Sequence, residues 1–481
     1  MSTITNKSKL PVAVIGAGPI GLAAAAHLLK RGETPIVFEA ANQVAGNIRS
    51  WAHVRLFSPW KYNVDSVAVE MLEAEGWKTP DMSGVPTGRQ LINEYLQPLV
   101  ELPTMQDCLH FDARVKGITR LNIDKMKELG RNDAPFVVQV LENGKLKRYF
   151  ARAVIDASGT WDNPNPAGSG GIPAPGEVEN RENIFYGIPD VLAEHRDRYA
   201  NRVVAVVGGG HSAINALLDL GKLQEEFPST VLHWILRKPS VEATYGGQGN
   251  DELVDRGLLG VRIQKMVDDG RLYFHTPFFI DGIVRDETGL GIEGLALGGR
   301  NRIHVDEIIV STGSRPDLSF TSELRIELDL AVECPPTLAP MIDPNLHSCG
   351  SVKPHGEAEL RHPEKDFYIV GMKSYGRAPT FLLATGYEQV RSVVAGLVGD
   401  WEASAAVELV LPETGVCGVN NWVNANEFSD SGIASNLAGH LSTEASSCCD
   451  FSTSEAAQPA IQTLTFQEED KPLVEEKPFI K

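Results

Sequence analysis

Long apolar runs are absent: no stretch of the 481 residues has enough consecutive apolar side chains to cross a bilayer. The first ten residues carry Lys7 and Lys9 with no apolar segment, so no secretory leader is read there. Cysteine is scarce. The six thiols, Cys108, Cys334, Cys349, Cys417, Cys448 and Cys449, form neither a disulfide framework nor a C-x-x-C pair. An excess of positive charge is also missing: 44 Lys and Arg stand against 63 Asp and Glu, a formal net charge of -19. Such a chain repels nucleic acid and anionic membrane, and neither is expected as a partner. No metal-ligand spacing involving histidine is visible. A hydrophobic content of 42% with 22% charged residues is that of a globular enzyme, long enough for two or three domains. The expected location is cytoplasmic.

Two stretches share one pattern. Residues 11–16 (PVAVIG) are a short apolar run ending in glycine, followed by helical spacing over 20–30, a stop at Gly32, and a second strand over 34–39 (TPIVFE). The pattern returns as a strand over 202–207 (RVVAVV), a turn over 208–210, a helix over 213–220 and a strand over 230–236 (TVLHWIL). Each is a β-turn-α-β unit of about 30 residues, the size a dinucleotide requires.

In the first unit, Gly16-Ala17-Gly18-Pro19-Ile20-Gly21 assigns a task to each glycine. Gly16 permits the tight turn, Gly18 admits a pyrophosphate to the backbone, and Gly21 lets helix lie on strand. The phosphates then face free N–H groups at the helix start. Glu39-Ala40 ends the next strand, where an acid holds ribose hydroxyls and repels a 2′-phosphate. In the second unit, Gly208-Gly209-Gly210-His211-Ser212-Ala213 has alanine in place of the third glycine, and its next strand ends in Arg237-Lys238. Two cations at the ribose position select a 2′-phosphate. The economical assignment is FAD in the first unit and NADPH in the second.

The first unit closes with 153–159 (AVIDASG), the Pro/Gly stretch 163–176 reads as a crossing linker, and the second unit closes with 307–313 (EIIVSTG). A further strand over 366–371 ending in Gly371, and a helix from about 379 to 397, would complete the first domain. The expected fold is α/β, with two Rossmann-like dinucleotide-binding domains and the NADPH domain inserted into the FAD domain. The boundaries read 1–160 and 315–400 for the FAD domain and 161–314 for the NADPH domain. Residues 401–481 read as a C-terminal extension, largely a disordered acidic tail.

The order GAGPIG, FEA, ASG, GGGHSA, STGSRP resembles two-domain flavoproteins that include flavin-containing monooxygenases and thioredoxin-reductase-like enzymes. The resemblance covers about residues 10 to 400. It implies that Val115 meets the FAD adenine through its backbone, and that Gly159 and Gly371 also lie at the cofactor. Gly46 stands where those enzymes carry a Gly-Gly-x-Trp pattern, from which Ala45 and Ile48 depart. Phe185-Tyr186-Gly187 matches the start of the monooxygenase signature, and Val191 occupies its histidine position.

Without a cysteine relay, reduced flavin delivers its electrons to dioxygen or to an external acceptor. The first route makes a flavin C4a-hydroperoxide, which the protein must keep dry. Residues 55–65 mix large aromatics with polar groups just past the ribose strand, so Arg55, Trp60, Tyr62 and Asn63 are the expected flavin-face residues. The glycine-rich loop 245–251 is expected to be a mobile cover for the nicotinamide. Vicinal Cys448 and Cys449 offer soft thiolates suited to a metalloid. That layout resembles flavin monooxygenases associated with arsenical resistance, implying oxidation of a trivalent organoarsenical. Three reactions stay open: oxygenation of a soft atom (As, S or N), NADPH oxidase or diaphorase activity, and a flavin-based redox or metalloid sensor.

Overall fold

Two apolar runs that each end in glycine form the centres of two parallel sheets. A computed structural model of the chain describes residues 7–287, 289–346, 352–379 and 381–409. In the first sheet, β1 (Val12–Ile15) lies between β2 (Pro35–Phe38) and β7 (Ala153–Asp156), flanked by β3 (Leu109–His110) and β16 (Phe367–Ile369). All four pairings are parallel. The second sheet repeats the plan, with β9 (Val203–Val207) between β10 (Val231–Ile235) and β15 (Glu307–Val310), and β11 (Tyr273–His275) and β8 (Ile184–Tyr186) at the edges. The chain leaves β1 toward one side of its sheet and returns on the other, so a crevice opens between the ends of β1 and β7. β9 and β15 are related in the same way.

Alternation along each central strand decides what covers its sheet. Val12 and Val14 point into a core built with the helix Pro19–Lys30 and the helix Leu383–Leu397. The first of these helices is buried from Pro19 through Leu28, as its run of four alanines between two layers requires. Ala13 and Ile15 point the other way, onto the antiparallel sheet β4 (Ala113–Arg120), β5 (Phe136–Glu142) and β6 (Lys145–Ala151). The second sheet does likewise. Val204 and Val206 face the helices His211–Glu226 and Val254–Asp268. Ala205 and Val207 face β12 (Phe278–Asp286), β13 (Gly289–Ala296) and β14 (Gly299–Val305).

Three sequence expectations change on this frame. The Pro/Gly stretch over 163–176 is tied down: buried Glu177 accepts from the backbone N–H groups of Ala167, Gly168 and Ala174, and from the Tyr186 hydroxyl at 2.6 Å. The extension expected from residue 401 starts inside the fold, because the helix Trp401–Ala405 is capped by Asp400 and Arg391 donates to the Ala403 carbonyl. Residues 410–481 lie outside those described. The loop over 245–251 is held against the helix Val254–Asp268 by a buried two-bond pair from Arg256 to Asp251, at 2.7 and 2.9 Å. Gly257 and Gly260 let that helix press on the carbonyls of Gln248 and Tyr245, where any Cβ would collide. The close packing is made by these two helix glycines; Gly246 and Gly249, in the loop itself, meet no such contact.

A buried carboxylate joins the antiparallel layer to the last strand. Glu364 accepts from Arg120 Nε at 2.7 Å, from Arg131 Nη2 at 2.6 Å and from the Arg325 backbone N–H at 2.9 Å, with the side chains of Glu364, Arg120 and Arg131 almost wholly buried. Burial opposes ionisation of Glu364, but these donors outweigh it and hold its carboxyl below the usual range. Glu364→Ala would leave two buried guanidiniums without their anion. It should lower stability by about 3–5 kcal/mol in urea unfolding at neutral pH. Because the carboxyl is depressed, this deficit should shrink as pH falls through the carboxylate range, where the native pair is itself lost.

Candidate active site

The β1–helix turn is built on two close backbone approaches. Gly16 has φ +98°, and a Cβ there would sit 2.8 Å from the Ala157 carbonyl oxygen; a Cβ at Gly21 would run into the Gly16 carbonyl. Gly18 differs, since a Cβ there would meet nothing within 4 Å. It faces a cavity of about 950 Å³ that runs along the ends of β1 and β7. Pro19 starts the helix behind Gly18, so the first N–H groups of that helix are free for an anion.

Glu39 fixes the next wall. Its two oxygens accept from the backbone N–H groups of Ala17, at 2.7 Å, and Ala41, at 2.9 Å. Burial raises the carboxyl above its usual range despite those bonds, and Asp162 adds to the rise. The cavity continues past Val115, where a bulge between Val115 and Gly117 bends β4, and past Gly159 to Gly371. The residues read from the first motif and the resemblance therefore come together: Gly16, Gly18, Pro19, Ile20, Glu39, Ala40, Gly46, Val115, Gly159 and Gly371 all line it. Gly21 supports it from behind.

The second glycine turn has the same construction. Gly208, at φ +131°, would push a Cβ into the Ser311 carbonyl, while Gly210 faces open space and caps the helix His211–Glu226. Ala213 stands buried at the third position, so the helix here accommodates a Cβ. Ser212 reaches the first cavity; Gly208, Gly210, His211, Ala213, Arg237 and Lys238 do not line it. Burial pushes the His211 imidazole down to about 4, which keeps it neutral at pH 7, with the Phe57 ring 5.1 Å away. Arg237 donates to the Ser169 carbonyl at 3.0 Å, and Lys238 to the Ala243 carbonyl at 2.5 Å. Burial, then the like charge of Arg377, lowers the Arg237 guanidinium, so a second arginine that sequence reading missed lies nearby.

The expected flavin-face group lies off this cavity. Arg55, Trp60, Tyr62 and Asn63 do not line the cavity. The Asn63 amide is spent on the carbonyls of Ser58 and Pro59, at 2.7 and 2.9 Å, and its oxygen accepts from Ser58 Oγ. These bonds turn Trp60 into the core. Tyr62 carries Lys61 over its ring at 4.9 Å, and Arg55 is exposed, 3.8 Å from Asp255. Apolar lining comes from Trp51, Leu56 and Trp161, the two indoles in contact with centroids 6.1 Å apart, with Phe381 and Leu383 adding to it. Tyr186 and Gly187 of the half-matched signature also line the cavity, and Val191 is buried in the second core.

A buried ion pair under the cavity wall was not legible in the sequence. Lys373 Nζ lies 2.7 Å from Asp156 Oδ2, donates to Ser158 Oγ at 2.9 Å, and sits 4.4 Å over the Phe320 ring. Cys108 and Cys334, the two thiols among the described residues, are buried away from the cavity. Cys448 and Cys449 lie outside the described residues.

Comparison with known proteins defines the class. The sequence profile of the pyridine nucleotide-disulphide oxidoreductase family matches residues 13–330, and the chain belongs to that family. A curated relative is the flavin-containing monooxygenase FMO GS-OX3 of Arabidopsis thaliana, 25% identical over 245 residues, which cover 46% of this chain. The match spans 48% of that relative, so the chain spans about half its length. Among solved structures, the bacillithiol disulfide reductase Bdr of Bacillus cereus has a TM-score of 0.57 at 19% identity, covering 80% of this chain and 99% of that one. The ornithine N-hydroxylase of Kutzneria sp. 744 has a TM-score of 0.55 at 16% identity, covering 82% and 100%. These likenesses show a shared fold. No helix among the described residues is long and apolar enough to cross a membrane.

The contrast between Gly18 and its neighbours predicts separable effects. Gly18→Val has room for its side chain in the cavity, so the chain should fold and keep its stability within about 1 kcal/mol of native, while FAD uptake falls at least about tenfold. Gly21→Val should cost folding itself, since its side chain meets backbone. Soluble yield, thermal unfolding and bound flavin released on heating would read both. Gly18→Val with full FAD content would contradict the assignment of the pyrophosphate.

Proposed function

We propose that the chain is an NADPH-dependent FAD monooxygenase of the cytoplasm. It takes a small molecule and dioxygen and oxidises a soft nucleophilic atom, either trivalent arsenic in an organoarsenical or sulfur or nitrogen. The observation that carries this reading is the apolar wall of Trp51, Leu56, Trp161, Phe381 and Leu383. Bound flavin supplies the oxygen chemistry. The residues of the chain admit and orient the substrate and keep water out, and an aromatic wall suits that task. A disulfide relay would need a thiol pair beside the ring, and among the described residues no cysteine lines the cavity. Burial pushes the Cys108 and Cys334 thiols up to about 11 and about 12, which leaves them unreactive at neutral pH. The name of the Arabidopsis thaliana relative supports the same reaction class. On this reading Cys448 and Cys449 capture the metalloid.

Coupling tests the proposal. With methylarsenite, arsenite, sulfides and amines offered in turn, one class should yield oxygenated product in proportion to NADPH consumed, with little peroxide. Peroxide matching NADPH in every case would mark an oxidase or diaphorase, and negligible turnover a sensor. Coenzyme choice has its own check. Replacing Arg237 and Lys238 together with alanine should raise the KM for NADPH at least about tenfold and leave NADH nearly unchanged, since charge-assisted contacts to a 2′-phosphate would be lost. Equal use of both coenzymes by the native enzyme would remove that assignment.

A further inference from the structure

Gly371 lines the cavity at φ +70°, with Ile20 of the first glycine turn against it: a Cβ on Gly371 would lie 3.2 Å from Ile20 Cγ1. Both polar atoms of Gly371 are held by buried side chains. Its N–H donates to Gln389 Oε1 at 2.7 Å, and its carbonyl accepts from Ser374 Oγ at 2.8 Å. Because Gln389 Oε1 accepts, its Nε2 is the donating end. That nitrogen lies 2.9 Å from Ser374 Oγ and 2.9 Å from His355 Nε2. The amide therefore dictates the state of the imidazole: His355 Nε2 accepts, and His355 Nδ1–H donates to the Lys353 carbonyl at 3.0 Å. Gln389 and Ser374 are wholly buried and His355 nearly so.

We infer that Gln389 and His355 are positioning residues for the flavin, clamping the Gly371 peptide through a chain of hydrogen bonds that closes only while His355 is neutral, so that FAD retention is acid-sensitive. A proton on His355 Nε2 would set N–H against N–H at the Gln389 amide. Freed from its acceptor, the amide would release Ser374 and Gly371 together, and the wall beside Ile20 would lose its fixed backbone. The groups around His355 pull in opposite directions. Glu359, on the turn that follows it, and Glu388, on the helix Leu383–Leu397, favour the imidazolium, and the Tyr375 ring lies 5.6 Å away. Burial outweighs the carboxylates and holds the imidazole below its ordinary range. The clamp is thus complete above the ordinary imidazole range and is lost as pH falls below it.

This inference rests on the flavin assignment of the cavity, and FAD titration of the apoprotein separates the two. Dissociation constants would be measured from about pH 8 to about pH 5.5, with thermal unfolding of each apoprotein alongside. Native protein should bind FAD about tenfold more weakly at the acid end. His355→Gln keeps an acceptor for the Gln389 amide without a titrating group, and its affinity should vary less than about twofold over the range. Gln389→Glu presents a carboxylate that a protonated His355 can satisfy, so its affinity should rise as pH falls. A merely structural role would alter affinity or folding in these variants without changing the pH slope. Native affinity that is flat with pH, a native-like step in His355→Gln, or a native-like slope in Gln389→Glu would each overturn the clamp. No FAD uptake at about pH 8 would overturn the flavin assignment itself.

Discussion

The structure depends on backbone meeting backbone where β1 gives way to its helix. Gly16 presses on the carbonyl of Ala157, and Gly21 on the carbonyl of Gly16, with no space for a side chain at either contact. Helix, strand and the loop after β7 are thereby brought closer than side-chain packing permits, and the crevice at the sheet's switch point becomes narrow enough for backbone groups to line it. The second unit obeys the same constraint through Gly208 and Ser311. Gly18 and Gly210, each two residues further on, are glycines of another kind, open to free space rather than pressed shut. The two roles recur in the same order, so both turns follow from one local geometry used twice.

Around the crevice, rigidity comes from buried charge. Asp156 ends β7 and takes the Lys373 ammonium, so the wall after β7 and the turn after β16 are joined by a pair that water does not reach. Glu177 gathers three backbone N–H groups and a tyrosine hydroxyl from the opposite approach. Removing one partner from such pairs is costly because the other charge stays buried. The walls of the cavity are consequently held from behind, while its lining mixes glycine, aromatic and aliphatic groups with Glu39, Asp162 and other polar residues.

The parallel strands and their helices were legible because each obeys a local rule. Apolar run, glycine and helical spacing placed β1, β2, β9 and β10, with no end differing from the structure by more than one residue. The helix expected over 213–220 extends over His211–Glu226 because it packs along the whole second sheet. The antiparallel layers were not legible. β13 and β14 carry several glycines, and only their pairing with neighbours reveals them as strands. The group from Arg55 to Asn63 shows the same limit. Its composition suits a flavin wall, but the Asn63 amide bonds back onto its own loop, and Trp51 lines the cavity while that group does not. Lys373, Gln389 and His355 lie far apart in sequence from what they hold, and no spacing marks them.

Chain order adds a consequence of the last strand's position. β16 completes the first sheet beside β7, yet some 210 residues separate the two, including the whole of the second sheet. During synthesis, β1, β2 and β7 emerge long before their missing neighbour, whereas the second sheet's strands, from Ile184 to Val310, arrive as one continuous block. The second unit can therefore finish folding on the ribosome while the first still has an unpaired edge at β7 and a helix face without the cover of Leu383–Leu397. The half that is read first is completed last, and it is the exposed edge of β7 that a nascent-chain chaperone would have to shield.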